Sequence, residues 1–229
     1  MTARYAIYLP PPANSELARF AACWLGRDVD GTPVESNFVL DGISASKLRE
    51  LTQSPRHYAF HGTLKAPFAL RVGCELAALR TEINRFAAKQ QRFSMPLKAG
   101  SLSGFLALMP AGPAPAMNAL AGSIVREFDH FRAELSNADL AQRRQAGLTE
   151  RQDRQLCAYG YPYIFEDFRF HMTLTERLSP PAHDQILAFL QDRIAGDWLN
   201  QFMVSEIALY GQPGRDTPFV LIERFPFGA

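Results

Sequence analysis

Residues 60–65 read FHGTLK and residues 170–175 read FHMTLT, so each histidine has Phe before it, Thr two positions after and Leu three after. The chain has five histidines in all, and His57, His130 and His183 lack this setting, as surface or helix histidines would. In a strand, side chains alternate between faces. His61 and Thr63 then share one face while Phe60, Gly62 and Leu64 take the other; His171 and Thr173 likewise stand opposite Phe170, Met172 and Leu174. Each segment has an apolar face to bury and a polar face carrying one imidazole and one hydroxyl. The same period sets Lys65 on the face of His61 and Arg169 on the face of His171, provided no bulge interrupts either strand.

Brought together in one groove, these groups suit phosphoryl chemistry. Neutral imidazole takes a proton from water or a hydroxyl, and imidazolium gives one to a departing alkoxide. Two such groups on opposite sides of a phosphorus serve both ends of an in-line displacement. Threonine hydroxyls donate to the non-bridging oxygens, where charge builds up. A metal centre is the sharper rival, since histidine is a common transition-metal ligand. Neither motif has Asp, Glu, Cys or a second His at i+2 or i+4, so a ligand set would have to be assembled from scattered residues. No metal is expected, and no cofactor.

The elements that must position these residues can be read from the sequence. RYAIYL, residues 4–9, is a strand closed by three prolines. NSELARFAACWLG is a helix capped at Asn14 or Ser15 and ended by Gly26, and Ser44 or Ser46 caps a short helix through Leu51. After FHGTLK come a strand at APFALRV, a helix with Leu76, Leu79, Ile83 and Phe86 on one face, and strands in RFSMPLKAG and SLSGFLALMP. PAGPAP, residues 110–115, marks a joint between halves. The second half opens with a helix from Met117 to Leu135. A short helix capped by Ser136 or Asn137 and stopped by Gly147 follows, then another begun by a Thr149–Gln152 capping box. RFHMTLT leads into the helix PPAHDQILAFLQDRIAG, and FMVSEIALYG and PFVLIERFPF are the last strands. Strand with His, helix, strand, strand occurs in both halves, which reads as α+β with two similar lobes, residues 1–110 and 111–229, in one domain.

Composition narrows the partners. With 229 residues, 47% of them hydrophobic, the chain can bury a sizeable core. Lys and Arg number 24 against 23 acids, so no overall field suits extended nucleic acid or an anionic membrane. Three cysteines in no CxxC spacing suggest neither a disulfide framework nor a zinc site. No stretch approaches the roughly 18 apolar residues of a membrane span, and the apolar run before Pro10 is too short for a signal-peptide core. Cytoplasmic location and a monomer are the default expectations.

His61-Gly62-Thr63-Leu64 and His171-Met172-Thr173-Leu174 resemble the paired His-x-Thr/Ser-apolar motifs of the two-histidine (2H) phosphoesterase superfamily, which includes LigT-like RNA ligases and cyclic phosphodiesterases. RYAIYLPP looks like that family's first strand, and the likeness covers essentially the whole chain. It implies pseudo-symmetric lobes whose antiparallel sheets line a central cleft with helices outside, and catalysis without metal or organic cofactor. GYPYIFEDFRFHMTLT is similar to a branch described as a phosphonate-metabolism protein, which implies a small cyclic phosphate from phosphonate breakdown as substrate. Residues 27–55 and 136–160 are long insertions relative to a minimal two-lobed enzyme, the second a candidate helical lid over the cleft.

Other residues could meet an anion. Arg143, Arg144, Arg151 and Arg154 form the densest basic segment, either a solvated helix face balanced by Glu150 and Asp153 or a phosphate-contacting lid, for which Arg143 is the candidate. Among the alternating Tyr159, Tyr161 and Tyr163, a tyrosine at the cleft would stack on a base or bond a phosphate oxygen, although packing on a neighbouring strand explains them equally well. Tyr8 is a candidate for the cleft floor. The expected activity is hydrolysis of a nucleoside 2′,3′-cyclic or sugar cyclic phosphate, or of a short RNA end, with His61 and His171 as acid and base and Thr63 and Thr173 holding phosphoryl oxygens. Tyr8, Lys65, Arg143, Tyr161 and Arg169 are the expected substrate contacts. A non-catalytic RNA- or nucleotide-binding module and an RNA 2′-5′ ligase-like enzyme are the alternatives.

Overall fold

The computed structural model describes residues 3–194 and 196–228. Arg4–Leu9 forms β1, followed by α1 (Glu16–Leu25), α2 (Ala45–Leu51), α3 (Gln53–Tyr58), β2 (Gly62–Phe68) and α4 (Leu76–Ala87). Next come β3 (Phe93–Met95), β4 (Leu97–Leu102), β5 (Phe105–Pro110), α5 (Pro115–Glu127), α6 (Asn137–Arg144) and α7 (Glu150–Tyr159). The chain continues through β6 (Met172–Arg177), α8 (Pro180–Arg193), α9 (Asp197–Asn200), β7 (Phe202–Val204), β8 (Glu206–Gln212) and β9 (Val220–Pro226). No helix among the described residues is long and apolar enough to cross a membrane.

Local signals account for many boundaries. The Ser15 hydroxyl accepts from the Ala18 amide at the start of α1, and Gly26, at φ 70°, ends it in the left-handed region where glycine carries no Cβ penalty. Thr149 and Gln152 form the reciprocal capping box of α7. Ser103 and Gly104, with φ of 51° and 88°, make the two-residue turn that joins β4 to β5.

Seven strands form one antiparallel sheet in the order β4-β5-β6-β2-β1-β8-β9, and β3 pairs with β7 in a separate ribbon. The architecture is α+β. Alternate residues of the central strands separate two apolar environments. Ile7, Leu9, Leu64, Met172, Leu174, Ile207 and Leu209 join the main core with the helices, while Ala6, Tyr8, Ala208 and Tyr210 join Ala59 and Phe219 in a smaller cluster. Trp24 of α1 is buried and donates its indole N–H to the Leu174 carbonyl at 2.8 Å, tying that helix to β6.

Several expectations need correction. The helix expected over Met117–Leu135 stops at Glu127, because the following backbone is claimed by tertiary pairing: the Arg71 amide donates to Phe131 and the Ala133 amide to Ala69. FMVSEIALYG divides into β7 and β8, which serve different sheets. Residues 53–58 add a helix, α3, beyond the expected end at Leu51. The division at residue 110 does not follow the sheet, since β4 and β5 of the first half pair beside β6, and β8 and β9 of the second half pair beside β1. The two halves are interleaved.

Candidate active site

β2 and β6 lie side by side at the middle of the sheet, antiparallel, with Gly62 opposite Met172. Carried one step either way, that register sets His61 against Thr173 and Thr63 against His171 on the same face. The two motifs are thus related by a local twofold between Gly62 and Met172. Gly62 makes this approach feasible. A Cβ there would stand 2.3 Å from the ring of Phe170, which is 4% exposed and has little room to yield.

The imidazoles are held alike. His61 Nδ1 lies 2.8 Å from the Ala59 carbonyl and His171 Nδ1 lies 2.7 Å from the Arg169 carbonyl. A carbonyl only accepts, so each Nδ1 carries the proton and each Nε2 is left as the basic nitrogen. His61 Nε2 is 3.2 Å from the Thr63 hydroxyl, which donates to it. Ala59 adopts φ 61° while 2% exposed, an uncommon conformation for a residue with a Cβ and one that aims its carbonyl at His61. Tyr8 lies flat on the other side of His61, ring centroids 3.6 Å apart and planes within 16°.

Electrostatics keep both histidines neutral. Burial presses His61 down to about 4; the Ala59 carbonyl resists the shift, and the charge of nearby His171 adds to it. Burial also lowers His171. The cavity at His61 has a volume of about 300 Å³ and is lined by Thr63, Thr173, Tyr8, Tyr58 and Tyr161, with Arg4 and Arg143 at its side. His171 does not line this cavity, and its ring centroid lies 5.6 Å from that of Phe105. Among the described residues no group of three or more His, Cys, Asp or Glu is placed to hold a metal.

The other candidates divide. Tyr8, Tyr161 and Arg143 meet at the histidine cavity. In the basic segment, Arg144 pairs with Asp153, Arg151 with Asp167 and Arg154 with Glu150. Among the described residues Arg143 has no such partner, and it lies 5.6 Å over the Tyr161 ring. Lys65 and Arg169 are not brought to this cavity. In β1, Ile7 pairs with Lys65 and the next residue, Tyr8, with Thr63; that bulge breaks the alternation. Lys65 is 4% exposed, its ammonium 3.2 Å from both Asp129 and the Val125 carbonyl, and burial presses it down to about 8. Arg169 precedes the start of β6 and its guanidinium donates to the Glu166 and Phe168 carbonyls. Arg4 was not anticipated, although the period of two from Tyr8 through Ala6 leads to it.

Known proteins with similar sequences and structures complete the description. The chain is 35% identical over 229 residues to a Janthinobacterium sp. (strain Marseille) protein named ribose 1,5-bisphosphate phosphokinase PhnN, covering 98% of this chain and 51% of that protein. The protein of the same name from Laribacter hongkongensis is 35% identical over 176 residues, or 76% of this chain and 40% of its own length. The chain therefore spans about half the length of the curated relatives, or less. A solved structure described as a phosphoesterase aligns over 100% of both chains at 15% identity with a TM-score of 0.49. E. coli LigT complexed with phosphate aligns over 100% of this chain and 99% of its own at 15% identity, TM-score 0.47. With residues 63–220 matching the family described as protein of unknown function (DUF1045), the chain belongs to the DUF1045 family.

Proposed function

We propose that this protein is a phosphoesterase of the two-histidine type that opens a cyclic phosphodiester without a metal. The observation that carries this reading is the pairing of His61-x-Thr63 and His171-x-Thr173 across adjacent central strands, each imidazole fixed at Nδ1 so that Nε2 is its basic nitrogen. Water attacks phosphorus as one Nε2 takes its proton. The bond to the ring oxygen on the far side breaks, and the second imidazole, as imidazolium, delivers a proton to that oxygen. The product is a phosphomonoester beside a free hydroxyl. Thr63 and Thr173 donate to the non-bridging oxygens, where charge develops.

The difference in burial supports a division of labour. His61, pressed down to about 4, stays neutral and serves as base. His171, also lowered by burial, takes up the proton that the acid needs once an anion is bound.

A ribosyl cyclic phosphate is the substrate class we favour. The curated relatives are named for a kinase acting on ribose 1,5-bisphosphate, and opening a ribosyl cyclic phosphate yields a ribose phosphate ester of that kind. The kinase name belongs to proteins about twice as long, and this chain contains no G-x-x-x-x-G-K-[ST] phosphate-binding loop. Supply of such an ester fits the role in phosphonate metabolism that the sequence resemblance implies.

The test is to incubate the protein, with chelator present, with nucleoside 2′,3′-cyclic phosphates and sugar 1,2-cyclic phosphates, alongside His61→Ala and His171→Ala. Ring opening by the wild type, reduced ~10²- to 10⁴-fold by either substitution, is expected. Turnover that disappears with chelator and returns with added metal, or binding without turnover in all three proteins, would sink the proposal.

A further inference from the structure

Beside the histidine cavity lies a larger one, of about 700 Å³, and the two share Arg4, Arg143 and Tyr161 as a common wall. The larger cavity adds Lys65 and Arg132, both paired with Asp129, and Arg215, from the turn between β8 and β9. The guanidiniums of Arg4, Arg143 and Arg215 come from a strand, a helix end and a turn far apart in sequence. They crowd one another: burial first, then the charges of Arg215 and Arg143, lowers Arg4 below its ordinary value.

Two of these charges have no paired acid. Among the described residues no carboxylate pairs with Arg4 or Arg143. Arg215 shares Asp139 at 3.0 Å, and Glu134 and Asp216 are the other acids at the wall. Arg4 is instead oriented by a neutral group. Its Nε donates to the Gln212 side-chain oxygen at 2.7 Å and its Nη2 to the same atom. Gln212 is 1% exposed, and its amide nitrogen donates to the Arg215 carbonyl at 3.1 Å and the Thr217 carbonyl at 2.6 Å. One buried amide thus fixes Arg4 relative to the turn that carries Arg215, without cancelling its charge. Guanidiniums gathered at one wall, one of them oriented by an amide and two without a paired carboxylate, suit a multiply charged oxyanion.

We infer that Arg4, Arg143 and Arg215 form a second phosphate subsite, so that the substrate carries a phosphomonoester at a distance from its cyclic diester. The inference rests on the proposed function and extends it from a cyclic phosphate to a bisphosphorylated one. The diester lies against His61 and His171 while the second phosphate reaches across the shared wall into the larger cavity. Tyr161, stacked under Arg143, forms the floor between them.

The test compares two ribosyl 1,2-cyclic phosphates that differ only in a 5-phosphate, using the wild type, Arg143→Met and Arg215→Met, with His61→Ala and His171→Ala as controls. The wild type should favour the 5-phosphorylated compound by ~10²-fold or more in kcat/KM, and each arginine variant should lose ~10-fold or more of that ratio, the effect of a charge-assisted hydrogen bond. The two substitutions lie on separate elements, so misfolding of one leaves the ratio readable in the other. Equal kcat/KM for both compounds in the wild type, or an unchanged ratio in the variants, overturns the second subsite while the proposed function stands. Opening of neither compound while a nucleoside 2′,3′-cyclic phosphate is opened overturns this inference alone; opening of no cyclic phosphate overturns the proposed function with it.

Discussion

Burial disfavours the protonation of both imidazoles, and for His61 the charge of nearby His171 adds to the effect. His61, at about 4, and His171, also lowered, are both neutral in the empty site at neutral pH. An acid–base mechanism needs one of them charged, and a bound phosphate supplies the field that makes it so. Binding of inorganic phosphate should therefore take up protons and tighten as pH falls from 7.5 toward 5.5. Calorimetry in buffers of different ionisation enthalpy measures this directly; affinity independent of pH in the wild type would count against it. The same shift acts on stability. The unfolded imidazole protonates near 6.5 and the folded His61 only near 4, so between those values the unfolded chain binds more protons and stability falls as pH falls. His61→Gln should flatten that part of the curve of unfolding free energy against pH. A variant with the wild-type slope would show that His61 is not held neutral.

At the scale of elements, the site depends on how closely β2 and β6 approach, and Gly62 sets that distance. Gly62→Ala places a methyl 2.3 Å from the buried Phe170 ring, an overpacking that costs about 1–3 kcal/mol. A lower Tm together with a fall in kcat larger than either threonine substitution is expected. Wild-type stability and turnover in Gly62→Ala would mean that Phe170 moves freely and does not set the spacing. This scale also explains what was legible in the sequence. The cap at Ser15, the Thr149–Gln152 box and the alternation in FHGTLK act within a few residues, so their residue types reveal them. Lys65 and Arg169 fall outside the histidine cavity, Lys65 lining the larger one beside it, because their directions depend on a bulge against β1 and on where β6 begins, which the partner strands decide. The early stop of α5 is of the same kind, imposed by backbone bonds to residues 69 and 71. Arg143 separates from Arg144, Arg151 and Arg154 only through the positions of Asp153, Asp167 and Glu150.

Across the whole molecule, the interleaving of the halves determines what can fold. The PAGPAP stretch looks like a joint, and the repeated order of elements suggests two lobes that could stand alone. The sheet argues otherwise. β4 and β5 have no partner in residues 1–110 except each other, because β6 is their neighbour; β8 and β9 in residues 111–229 need β1. Separated, each half would expose strand edges and lose the apolar surface that the other covers, including the Trp24 bond to Leu174 that links α1 to β6. Fragments 1–110 and 111–229 should each lack a cooperative thermal transition and regain one when mixed. Circular dichroism melts of the two fragments, apart and together, make the measurement. A fragment 1–110 that melts cooperatively alone would show that β1, β2, β4 and β5 can build a core without β6. The site would then be an interface between two independent lobes, whereas the sheet order, with β2 and β6 adjacent at its middle, leads us to expect a single cooperative unit with the site at its centre.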